Sequence, residues 1–154
     1  MRVKFYMCEF KHKQSGRMLH KFGITRHMDV MDRFSTKESE RFSRSVHQYD
    51  DFAIRVLASY VCEDGTQARA IERDFLNMYP KAGLVVESAL GESFGRYDDM
   101  SGVTELRKLS PSQLSGALRK IYNMIGQGRQ GEFKAKKKKY LMDQQEYSDV
   151  KVYE

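Results

Sequence analysis

Four side chains in this sequence have the types and settings that phosphate chemistry uses: Tyr6, Lys21, Arg33 and Glu72. A phenol can order water, an ammonium neutralises developing charge, a guanidinium matches phosphate through paired donors, and a carboxylate offers hard oxygens to a divalent cation. Lys21 lies in Leu19-His20-Lys21-Phe22-Gly23-Ile24-Thr25, where alternation puts Phe22 and Ile24 on one face and Lys21, Gly23 and Thr25 on the other. Gly23 removes a side chain where a ligand or another backbone has to approach. Glu72 falls among Ala68, Ile71, Phe75, Leu76 and Tyr79, which share one helical face, so its carboxylate leaves from the apolar side and needs a partner, a metal or a nearby arginine. Singly, each residue also has an ordinary structural reading: a half-buried strand tyrosine, an edge lysine, a surface arginine, a boundary carboxylate.

The elements that must position these groups follow from pattern. Residues 3–8 alternate, with Val3, Phe5 and Met7 opposite Lys4, Tyr6 and Cys8, and the polar segment 11–17 with its Ser15-Gly16 signal predicts an antiparallel hairpin with strand 18–25. Tyr6 and Lys21 then share a face. Asp29 is a cap for a short helix carrying Val30, Met31 and Phe34, with Arg33 beside that stripe. Residues 37–51 are polar and charged and are either a loop or the end of that helix. Phe52 to Cys62 is β-branched and nearly continuously apolar, as a central strand covered on both faces is. Thr66 is the expected cap of a helix that runs to about Tyr79 and stops at Pro80 and Gly83. Residues 84–106 are expected to be loops with a further edge strand. Ser110-Pro111 opens a last helix with Leu114, Leu118, Ile121 and Ile125 on one face, ended by the glycines from Gly126 to Gly131.

A length of 154 residues predicts one domain with a real core. The net charge of +6 and pI near 9.3 favour a polyanionic partner. Lys134 and the run Lys136, Lys137, Lys138 and Lys139 add a basic tail that can contact phosphates non-specifically, and Lys4 and Arg26 are further candidates for such contacts. Cys8 and Cys62 have no paired or metal-ligand spacing and read as reduced core thiols. The histidines 12, 20, 27 and 47 lack ligand spacing too. No apolar run approaches the length of a membrane span and no signal peptide is evident, so a soluble, cytoplasmic protein is expected.

In order and setting, Phe5-Tyr6-Met7, Lys21-Phe22-Gly23-Ile24-Thr25, Arg33, Ala70-Ile71-Glu72-Arg73 and Ser101-Gly102-Val103-Thr104-Glu105 resemble the GIY-YIG nuclease superfamily. The likeness is to the branch whose second motif reads Lys-x-Gly-Ile-Thr, and it spans residues 3 to about 106. It implies an α+β fold: a three-stranded antiparallel sheet flanked by helices, here with an added C-terminal helix and basic tail. The expected organisation is a nuclease-like domain over 1–108, a helical extension over 109–131 and a tail over 132–154. The resemblance further implies hydrolysis of DNA phosphodiesters with one Mg²⁺ or Mn²⁺, Glu72 binding the metal, Arg33 the scissile phosphate and Tyr6 lying near the attacking water. Lys21 would lower the pKa of Tyr6 or touch phosphate, and Gly23, Thr25, Gly102 and Glu105 are motif positions. Lys21 stands where the superfamily has a second tyrosine, which leaves the general base open, and the ten-residue step from Gly23 to Arg33 requires an insertion.

Two rival readings have different warrants. A catalytically silent relative that binds nucleic acid or protein would follow from the substituted second motif. An interaction protein using its tail would lose binding, but not its fold, on deletion after Gly131. RNA is the alternative substrate, and a protein partner or homo-oligomer remains open. Small size and no separate recognition domain predict limited specificity or dependence on a partner.

Overall fold

The computed structural model describes residues 2–34, 49–79, 105–126 and 131–135. The alternating runs become an antiparallel sheet of β1 (Val3–His12), β2 (Met18–Thr25), β3 (Phe52–Cys62), β4 (Leu106–Arg107) and β5 (Gly131–Phe133). The strand order is β4-β2-β1-β3-β5, which puts β1 in the middle and β3 inside the sheet between β1 and β5, as its continuous apolarity predicts. Five strands stand where three were expected. The three long ones carry the periodic signal, while β4 and β5 are two and three residues long and too short to show a period.

The hairpin forms as the pattern requires. Gly16 takes φ +73°, the left-handed conformation its turn needs, and its amide donates to the His12 carbonyl at 2.8 Å. Alternation then divides the sheet into two apolar faces. Val3, Phe5, Met7 and Phe22 face α1 (Gly65–Asn77) and α2 (Pro111–Gly126), whose Ala68, Phe75, Leu118, Ile121 and Ile125 complete that layer. Tyr6, Cys8, Phe10, Leu19 and Leu106 face the other way and pack with Val30, Phe34, Tyr49 and Val56.

A bulge reconciles the continuous apolarity of β3 with these two faces. Met7 pairs with Ala58 and Cys8 with Val56, which leaves Leu57 as the extra residue. Leu57 and Ala58 therefore both join the helix-side core while Val56 joins the opposite one. Both cysteines are free and buried, as expected, one in each core.

Several boundaries differ from expectation. The short helix after Asp29 is a 3-10 turn, Val30–Phe34, with the Asp29 carboxylate accepting from the Met31 amide at 3.0 Å. The cap of α1 is Asp64 and not Thr66; its side chain accepts from the Gln67 amide at 2.9 Å. The helix ends at Asn77 because the Met78 amide turns back to the Phe75 carbonyl. Gly131 opens β5, and Phe133 and Ala135 are fully buried, so the sheet reaches into the segment expected to be tail. Most of segments 37–51 and 84–106, Pro80, Gly83, Gly102, Lys136, Lys137, Lys138 and Lys139 lie outside the described residues.

Candidate active site

Tyr6 on β1 and Gly23 on β2 are directly opposite in the antiparallel register, and Cys8 opposes Lys21. A Cβ added to Gly23 would stand 2.4 Å from Tyr6 Oη and 2.7 Å from Lys21 Nζ, so the missing side chain is what lets the phenol and the ammonium meet over this strand. Lys21 Nζ donates to Tyr6 Oη at 2.7 Å and to Glu105 Oε1 at 2.8 Å. Glu105 arrives just ahead of β4, whose Leu106 pairs with Lys21. Glu72, from α1, lies beside Glu105, close enough for one carboxyl to donate to the other when protonated. A single connected chain thus runs Tyr6, Lys21, Glu105, Glu72.

The 3-10 turn brings the guanidinium. Phe34 packs edge-on against Tyr6 at 6.0 Å between ring centroids, and Lys21 Nζ lies 5.8 Å from the Phe34 ring. Arg33, next in sequence and half-buried, acts electrostatically on the Tyr6 phenol. It also lines a cavity of about 260 Å³ with Val3, Ile24, Thr25, Arg26, His27, Gly65 and Arg69. The ten-residue step from Gly23 is therefore taken up by the turn, which leaves Arg33 within electrostatic range of Tyr6.

Charge in the cluster follows from burial. Tyr6 has no accessible surface, and burial pushes its phenol up to about 12 against the opposing pull of Lys21. Lys21 lowers the phenol as expected, but burial outweighs it, and Tyr6 keeps its proton at neutral pH. Burial pulls Lys21 toward its neutral form, yet Tyr6 and Glu105 together outweigh that and hold the ammonium protonated. Burial, then the neighbouring Glu105 charge and hydrogen bond, raise Glu72 to about 7, with Lys21 pulling it down. Glu72 thus holds a proton close to neutral pH, beside the Glu105 side chain and a fixed ammonium.

Carboxylate oxygens are the donor type that a hard divalent cation takes. Glu72 Oε2 is buried without a hydrogen-bond partner, and Glu105 supplies a second carboxylate next to it. No cluster of three His, Cys, Asp or Glu side chains occurs among the described residues, so water and phosphate would complete the shell, as is common for Mg²⁺.

The other expected contacts divide. Lys4 and Lys134 line one cavity with Met28, Asp29, Val30, Val56, Ser59 and Glu132. Their charges are partly engaged there, Lys4 Nζ with the Met28 carbonyl and Lys134 with Glu132 at 3.3 Å. Arg26 is exposed at the rim of the Arg33 cavity, and Thr25 accepts the His27 amide at 3.1 Å. Sequence reasoning underrated Glu105, taken as a motif position and here the bridge between lysine and glutamate. It missed Arg69, although its place three residues before Glu72 sets both on one side of α1. Compared with known proteins, the chain matches no family model, no curated protein and no solved structure.

Proposed function

We propose that this chain is a divalent-metal-dependent endonuclease that hydrolyses phosphodiester bonds, with DNA as the favoured substrate and RNA as the alternative. The observation that carries this reading is the Tyr6, Lys21, Glu105, Glu72 chain, which ends in a buried carboxylate oxygen with no partner. Arg33 supports it from the adjoining 3-10 turn.

Each side chain has a role set by its exposure. Glu72 and Glu105 would hold Mg²⁺ or Mn²⁺, which when bound activates water and neutralises charge on phosphate. Arg33 binds and orients the phosphate through its paired donors and stabilises the charge that builds on it. Lys21 and Tyr6, being wholly buried, are positioning residues: the ammonium fixes Glu105, and the phenol fixes the ammonium. Their burial also favours a second reading, a nucleic-acid-binding protein without turnover.

Cleavage of a long duplex in Mg²⁺ by the unaltered protein and by Glu72→Ala separates the two. Loss of cleavage by at least about a hundredfold with DNA binding retained supports hydrolysis at this site. Equal cleavage by both proteins removes the site, and salt-sensitive binding with no cleavage under any divalent cation supports the second reading.

A further inference from the structure

The cavity that Arg33 lines holds three guanidiniums, those of Arg26, Arg33 and Arg69, more than one phosphate contact requires. Arg26 and His27 enter from the end of β2, Arg33 from the 3-10 turn and Arg69 from the first turns of α1, and the described residues lining it include no carboxylate. Like charges gathered in one concavity focus a positive potential that an anion relieves. The start of α1 adds to it: Gly65 has no side chain, and a Cβ there would lie 3.2 Å from Arg69 Nη1, so the guanidinium folds against the positive end of the helix. The neighbouring Asp64 carboxylate accepts the Gln67 amide. At about 260 Å³ the space is smaller than the roughly 300–1,000 Å³ typical of sites for whole small molecules, and suits a phosphate group better than a base.

Placement along α1 gives the cavity a position on the strand. Arg69 precedes Glu72 by three residues, a rise of about 4.5 Å, against about 3.4 Å of axis per nucleotide in one strand. We propose that Arg69 and Arg26 bind a nucleic-acid phosphodiester next to the one held at Glu72 and Arg33, making Arg69 a substrate-positioning residue. This inference rests on the nuclease reading for its neighbour, while the anion site rests on the cavity alone.

The test uses the full chain. Binding of a fluorescent DNA duplex is measured by anisotropy on the Glu72→Gln background, with and without Arg69→Gln, across a salt series. Inorganic phosphate serves as a thermal-shift control, and steady-state cleavage compares Arg69→Gln with the unaltered protein. The expected result is about tenfold weaker duplex binding, a log–log salt slope reduced by about one, and a raised KM with little change in kcat. Exposed Arg69 is replaced without loss of core, and an unchanged Tm verifies the fold. Unchanged binding and slope in Arg69→Gln overturn the proposal while leaving Glu72-dependent cleavage intact. Arg69-dependent duplex binding without Glu72-dependent cleavage retains the phosphate site and overturns the nuclease reading. Protection by inorganic phosphate alone, with duplex binding indifferent to Arg69, also overturns it.

Discussion

Glu72 carries the account because its proton affinity differs between the folded and unfolded chain. Folded, it holds its proton to about 7; unfolded, the ordinary value is 4.5. Between those values the folded state binds the extra proton, so this group's contribution to stability is fully present below the lower one and is lost as pH rises through the upper one. Because water reaches the half-buried carboxyl, the expected loss is about 1 kcal/mol, far below the unscreened value. Urea unfolding at about pH 5 and pH 8 should show it, and Glu72→Gln should flatten it. Metal-dependent cleavage should run the other way, rising through neutral pH as the Glu72 proton leaves, since cations bind the deprotonated carboxylate. Lys21→Met should cost about 2–3 kcal/mol by equilibrium unfolding, since it strips both the buried phenol and the partly exposed Glu105 of their donor. Alternation alone placed Tyr6 and Lys21 on one face. The Lys21 to Glu105 link spans 84 residues, and no local period encodes it.

At the scale of elements, the site depends on α1 and on the 3-10 turn being held to the sheet. Asp64 caps the start of α1, and buried Arg107 donates to the Leu76 carbonyl at 3.3 Å near its end. Phe34 pins the turn by packing on Tyr6, Phe10 and Tyr49. Phe34→Ala should therefore cost about 2–4 kcal/mol in denaturant unfolding and lower cleavage further by releasing Arg33. Gly23→Ala should cost about 1–3 kcal/mol, since the added methyl collides with a rigid buried ring as well as with a lysine tip. The long strands and both helices were legible from their periods and turn residues. The 3-10 turn was not: five residues with Val30 and Phe34 inward fit a helical stripe equally well.

Over the whole molecule, the sheet packs one apolar core against each of its faces. The helices cover one face, where Phe5, Phe22, Phe75 and Tyr79 stack, and the Tyr6 cluster occupies the other. The basic composition was readable, but its division between the arginine cavity and the Lys4–Lys134 cavity depends on long-range folding. The chain end was misjudged because β5 is three residues long, yet Phe133 packs against Tyr122 at 5.1 Å and is fully buried. Truncation after Gly131 should thus lose about 3–5 kcal/mol through Phe133 alone. Truncation after Ala135 should weaken salt-dependent nucleic-acid binding as Lys136 to Lys139 are removed.

The most direct test of the central claim is a crystal of the full chain soaked in Mn²⁺ and read by anomalous diffraction. The account predicts one peak about 2.1 Å from a carboxylate oxygen of Glu72, with Glu105 alongside and Lys21 still bound to Tyr6. A fully soaked crystal with no peak at this pair, or with the cation held elsewhere, would contradict it.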